Sequence, residues 1–145
     1  MDYTKLSKEE LIRILELREN PIQTNSPKTV FDYLRPWGGK EQEHFIVLML
    51  DGAHQVKNLQ VVSIGLVNRT LVHPREIFAP AIENRATAII IAHNHPSGNL
   101  DPSEDDLATT DRIWKAGLLL GIEVLDHIIF SSTEYLSMKV DGLMP

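Results

Sequence analysis

The stretch Ala86 to Ala92, ATAIIIA, constrains the fold of this chain more than any other segment. It carries no charge and is far too short to cross a bilayer, which takes about 20 residues as a helix. A continuous apolar run of this length is the mark of a strand covered on both faces, because a strand with one wet face alternates polar and apolar residues instead. The segment therefore predicts a central strand in a sheet with helices packed against it.

The flanking sequence supplies those partners. Ser7 and Glu10 make an S-x-x-E capping box ahead of Leu11, Ile12, Ile14 and Leu15, so a helix is expected over residues 7–20, ending at Asn20-Pro21. A second helix is expected from Ser26, with Pro27 in the tolerated first turn, to about Leu34. Arg35-Pro36-Trp37-Gly38-Gly39 then reads as a break, giving an N-terminal helical extension over 1–39 and a main domain over 40–145. His44 to Leu50 and Gln55 to Leu66 predict a hairpin turning at Asp51-Gly52-Ala53-His54. A short segment, Thr70 to Val72, leads into a helix over Pro74 to Asn84. After the apolar strand, Ser103 caps a helix from Glu104 to Leu120, with Glu104, Asp105 and Asp106 in its first turn. Gly121 stops it, Glu123 to Ser131 is a second buried strand, and the tail from Glu134 to Asp141 adds a short one. The expected class is α/β with a mixed sheet.

Composition narrows the chemistry. With 145 residues the chain can bury a full core, and 43% hydrophobic against 23% charged residues suits a globular protein. There is no cysteine, which excludes disulfides, a thiol nucleophile and every cysteine-ligated zinc site, so any metal must sit on His, Asp or Glu. Twenty acids against 14 bases give a net charge of -6, with no basic stripe to follow a phosphate backbone, so direct nucleic-acid binding is disfavoured. The first 20 residues are charged throughout and do not form a signal peptide, so a soluble cytoplasmic protein without a membrane segment is expected.

His93-Asn94-His95 follows the apolar strand directly. If the extended backbone continues, residues 93 and 95 project to one side, and two imidazoles aimed at one point suit zinc. Pro96-Ser97-Gly98 turns the chain, and the return through Pro102-Ser103 brings Asp106 onto the first turn of the next helix. Two His and one carboxylate leave a fourth position for water, as in hydrolytic sites. Ser103 and Asp106 read equally as a helix cap, and a capped helix is a rigid mount for a ligand. A zinc-activated water also needs a base. Glu43, at the entrance of the first strand, is the candidate, with Glu41 its rival and Glu76 a more distant one.

Glu43, His93, His95, Pro96, Ser103 and Asp106 together spell E-x(n)-H-x-H-P-x(6)-S-x-x-D, which resembles the JAMM motif of zinc-dependent JAB/MPN+ domains. The blocks VHPREIF, AHNHPSGNLDPSEDD and LDHIIF resemble, in the same order, recurring blocks of the RadC family, once named for DNA repair; the likeness covers about Lys40 to Gly142. It implies a cytidine deaminase-like α/β/α sandwich of the JAB/MPN type and the activity of a zinc metallopeptidase or isopeptidase. It further implies His93, His95 and Asp106 as Zn2+ ligands, Glu43 as general base and Ser103 as hydrogen-bond donor to the oxyanion. The deaminase likeness is one of fold alone, since the H-x-E and P-C-x-x-C signatures of those enzymes are missing. RadC proteins carry a helical DNA-binding-like module ahead of the JAB domain, for which the 39 residues here are too short.

Other residues read more blandly. His73 and His127 belong to family-like blocks near the site, and such histidines commonly satisfy a backbone carbonyl. Arg75 and Glu76 are expected to form a local ion pair, and Trp37 and Trp114 to pack. The leading expectation is a zinc hydrolase acting on a peptide or protein substrate, as a monomer or an oligomer. A DNA-repair accessory protein and a non-catalytic zinc scaffold are the alternatives.

Overall fold

The computed structural model describes residues 3–65 and 72–145. The elements run α1 (Lys8–Glu19), β1 (Ile22–Gln23), α2 (Pro27–Gly38), β2 (His44–Leu50), β3 (Gln55–Ile64), α3 (Pro74–Glu83), β4 (Ala88–Asn94), α4 (Glu104–Leu120), β5 (Glu123–Phe130) and β6 (Tyr135–Ser137). The expected segment Thr70 to Val72 and the end of the second strand at Leu66 fall partly or wholly outside the described residues.

The strands form one mixed sheet in the order β1-β3-β2-β4-β5-β6, parallel only between β4 and β5 and antiparallel elsewhere. The parallel pair needs a long crossover, and α4 supplies it. All seven residues of β2 and all seven of β4 are buried. The reason is cover on both faces. Ile46, Leu48 and Leu50 of β2, with Ala88, Ile90 and Ala92 of β4, share a core with Ile14 and Leu17 of α1 and Phe31, Leu34 and Trp37 of α2. The intervening Phe45, Val47 and Met49, with Ile89 and Ile91, face Ile77 and Phe78 of α3 and Ile113 of α4. The result is an α/β/α arrangement with β2 and β4 at its centre, as the uncharged run required.

Local signals act where expected. Ser7 and Glu10 form the reciprocal capping box of α1, and Gly121, at φ 73°, closes α4 in the left-handed conformation that favours glycine. In the hairpin turn the Asp51 carboxylate accepts the N–H groups of Ala53 and Gln55, both at 2.9 Å.

Two expectations are corrected. The segment Arg35–Gly39 does not break the chain: α2 continues through Pro36 to Gly38. A proline this near the end of a helix forfeits one backbone bond, and the last turn offsets that by burying Trp37, which is fully enclosed in the core. Gly38 is required there, because a Cβ would run into the carbonyl of Ser131. The central strand also begins two residues late and ends two residues late, at Asn94, so that the extended backbone does continue and His93 lies within the sheet.

Candidate metal centre

The period-two alternation of β4 turns its odd residues toward α4. His93 is the last of these inside the strand, completely buried, and its backbone is fixed by pairing with Phe45 of β2 and Ile129 of β5. The Phe45 ring lies almost parallel to its imidazole, 6° between planes and 5.7 Å between centroids. His95 follows one step beyond, held by a bond from its N–H to the Phe130 carbonyl at 2.9 Å. Asp106 arrives from α4. The Ser103 hydroxyl accepts the Asp106 N–H at 3.0 Å, and the Ser103 N–H donates to Asp106 Oδ2 at 2.9 Å. This reciprocal cap fixes one carboxylate oxygen and leaves both oriented inward.

The three side chains meet. His93, His95 and Asp106 each present a ligand atom within 4.8 Å of the other two. The Nε2 atoms of His93 and His95 are 2.9 Å apart, and each lies 3.3 Å from an Asp106 oxygen. His95 Nδ1 faces the Asn99 carbonyl at 2.6 Å, which can only accept, so Nδ1 carries the proton and a neutral ring leaves Nε2 bare. Burial acts to raise the Asp106 pKa, but when the His93 and His95 Nε2 atoms carry protons their hydrogen bonds outweigh burial and hold the carboxyl far below the usual carboxylate range. A metal ion would take the place of those protons, between a buried anion and two imidazole nitrogens. The donor set, two nitrogens and one oxygen, fits a metal ion that accepts imidazole and carboxylate ligands, zinc among them.

The structure also settles where the other sequence-selected residues lie. Glu43 is half-buried at the approach to β2, and its carbonyl accepts the Gly65 N–H at 2.7 Å. The ladder between β2 and β4 ends at the Phe45–His93 pair, and Glu43 lies two residues before Phe45, just ahead of β2. Its carboxylate is not among the three groups that converge within 4.8 Å. Its rival Glu41 is exposed and lines a separate cleft with Ser7, Glu10 and Lys40, while Glu76 pairs with Arg75 on the surface of α3 at 3.7 Å. Ser103 caps α4 with its lone pair, and that role does not consume its hydroxyl proton. Asp105 points to solvent while Asp106 is buried.

Two side chains contribute in ways that the sequence does not foretell. Asn94, between the histidines, faces the opposite side of β4 and ties down the segment before β2. Its side-chain oxygen accepts the His44 N–H at 2.6 Å, and its amide donates to the carbonyls of Lys40 and Gln42 at 3.3 and 3.1 Å. That segment carries Glu43. His127 does more than satisfy a carbonyl: its Nε2 lies 2.7 Å from Nδ1 of His93. The signal for Asn94 is a polar residue at an inward position of a strand end, while His127 is marked in the sequence only as a member of a family-like block near the site, expected to satisfy a backbone carbonyl.

Comparison with known proteins agrees with this architecture. A family model described as "RadC-like JAB domain" matches residues 24–143. A UPF0758 protein of Methanospirillum hungatei is 48% identical over 106 residues, 73% of this chain and 47% of that protein. One from Pelobacter propionicus is 43% identical over 127 residues, 87% of this chain and 56% of its own length. Another, from Staphylococcus aureus, is 43% identical over 124 residues, 85% and 54% respectively. The chain thus spans about half the length of these curated relatives.

Proposed function

The chain belongs to the RadC-like JAB domain family, and on that premise we propose that it is a zinc-dependent hydrolase cleaving a peptide or isopeptide bond. The observation that carries this reading is the convergence of His93, His95 and Asp106 within 4.8 Å. These three would hold the ion. Zinc bound there supplies Lewis acidity, lowering the pKa of water toward about 7 and polarising a carbonyl.

The remaining work falls to the chain's own groups. Glu43 takes a proton from the attacking water as the new C–O bond forms, then delivers it to the nitrogen as the C–N bond breaks, releasing an amine and a carboxylate. Ser103 donates its hydroxyl proton to the carbonyl oxygen as negative charge develops there. Asp106 fixes Ser103 through the shared cap, so the oxyanion donor and a metal ligand move as one unit. The Asn94 clamp on Lys40, Gln42 and His44 holds the Glu43 segment against the same strand.

Elemental analysis of the purified chain tests the reading, with one zinc per chain expected. Hydrolysis of a quenched fluorescent peptide or isopeptide should fall by roughly 10²–10⁴-fold in Glu43→Gln with zinc retained. A protein free of zinc after purification and after incubation with the ion would rule the proposal out.

A further inference from the structure

We propose that His127 and Thr110 form a buried hydrogen-bond relay that sets the tautomer of His93 and so determines how tightly the site holds its metal. The inference rests on the zinc reading above and assigns two positioning residues to it.

The contacts form a closed circuit that starts and ends on Asp106. The Thr110 hydroxyl donates to the Asp106 backbone carbonyl at 2.7 Å. Thr110 Oγ1 lies 2.6 Å from His127 Nδ1, His127 Nε2 lies 2.7 Å from His93 Nδ1, and His93 Nε2 returns to the Asp106 carboxylate at 3.3 Å. The carbonyl can join the circuit only by accepting, whereas His127 Nδ1 can donate or accept, so both contacts of the Thr110 oxygen are hydrogen bonds only when its single proton goes to the carbonyl and it accepts from Nδ1–H of His127. His127 Nε2 is then bare and accepts Nδ1–H of His93. The remaining nitrogen of His93, Nε2, is left with a lone pair pointing where a cation would sit. The reversed arrangement would place a proton on that nitrogen and exclude the metal. His127 Nδ1 would take the Thr110 proton only in that reversed arrangement, and the Met138 sulfur, at 3.6 Å, is a weak acceptor.

The relay is rigid as well as directional. His93 and His127 are fully buried and Thr110 is 1% exposed, so no bulk water reorders the protons. His127 cannot swing: its N–H bonds Asp126 Oδ1 at 2.7 Å, its carbonyl accepts the Met138 N–H at 3.0 Å, and its ring meets Phe45 edge-on. A free neutral imidazole favours the proton on Nε2. The circuit imposes Nδ1–H on both histidines, and orientation of this kind behind a metal-binding imidazole is commonly worth about 10–100-fold in affinity.

The test uses the full chain and zinc alone, by competition with a chromogenic chelator. Wild type comes first: failure to bind zinc defeats the metal reading itself, not the relay. Given binding, Thr110→Val and His127→Phe should each weaken zinc by ~10–100-fold, with Thr110→Ser within about two-fold of wild type. The double variant should be no weaker than His127→Phe, since either change opens the same circuit. Wild-type affinity in both Thr110→Val and His127→Phe overturns the relay while leaving the zinc site standing. If His127→Phe does not fold, the isosteric Thr110→Val and Thr110→Ser pair decides. Two-bond 1H–15N spectra of the zinc-loaded protein give a readout that packing alone would not move. His127 should carry its proton on Nδ1, and a proton on Nε2 overturns the proposal.

Discussion

The backbone N–H of His44 donates to the side-chain oxygen of Asn94 at 2.6 Å, at the point where β2 and β4 stop pairing. One amide group thereby replaces the next rungs of the ladder and sets the path of residues 40–44. Asn94→Ala removes an acceptor and two donor bonds at a fully buried position and should cost about 1–3 kcal/mol, read by urea denaturation. It should also lower kcat on a peptide substrate with little change in bound zinc, because the Glu43 segment is freed and the three metal-site residues are not. Full activity in a folded Asn94→Ala protein would refute the coupling.

Zinc should stabilise the fold through Asp106. At free zinc 100-fold above Kd the gain is about 2.7 kcal/mol, a shift of several degrees in Tm. Asp106→Asn keeps an oxygen for the Ser103 cap but loses the anionic ligand, so its Tm should not respond to zinc. Differential scanning fluorimetry with and without the ion checks this. An equal rise in both proteins would place the stabilising zinc elsewhere.

Asp126 gives the fold a pH dependence of its own. Burial pushes its pKa above the ordinary value, against hydrogen bonds from the Ser137 hydroxyl at 2.6 Å and the N–H groups of Lys139 and His127. The folded state therefore holds the proton more tightly than the unfolded chain. Stability falls as pH rises from the unfolded value through the folded one, and the penalty is complete above it. Asp126→Asn keeps an oxygen for both N–H groups and should flatten this part of the profile. Denaturant midpoints for the two proteins, converging as pH falls toward the ordinary carboxylate range, are the expected result.

Glu10 has the opposite sign. Burial opposes its ionisation, but Lys40 at 3.0 Å and the Ser7 cap outweigh burial and lower its pKa. Its contribution is present above the unfolded pKa and is lost as pH falls through the folded one. Lys40→Met removes the strongest opposing partner and leaves a carboxylate in a buried place, for a loss of about 1–3 kcal/mol near neutrality. The deficit should shrink as the solution is acidified and Glu10 protonates. A deficit independent of pH would count against the pairing.

Gly38→Ala separates propensity from packing. In a helix interior alanine is favoured over glycine by about 1 kcal/mol. Here the new methyl would meet the Ser131 carbonyl, so α2 or the end of β5 must shift, at about 1–3 kcal/mol. A net destabilisation in chemical denaturation is expected, and a gain would show that the helix end has room to move.

Much of this architecture can be read from local sequence, for identifiable reasons. The α4 helix matches its expected bounds because Ser103, three leading acids and Gly121 are all short-range signals. His93, His95 and Asp106 could be brought together on paper because strand periodicity and a helix cap each act over a few residues. The misses share a different cause. Pro36 signals a helix end locally, but burial of Trp37 against the sheet overrides it, and that contact is tertiary. The two-residue β1 is too short to carry a periodic pattern. His127 lies 34 residues from His93 and 17 from Thr110, so nothing short of the β4–β5 register reveals the circuit.

The far end of β4 gives the molecule a gauge. Residue 93 looks toward the helix that brings the carboxylate, and residue 94 looks toward the segment that brings the candidate base, so a single peptide unit spaces the two halves of the site. Sliding that strand by one position would exchange them and abolish both. Because β4 is also the most enclosed strand of the sheet, the spacing cannot drift while the fold persists. Heating should thus erase metal retention and tertiary structure in one cooperative event, with no temperature at which an intact fold holds a slackened centre.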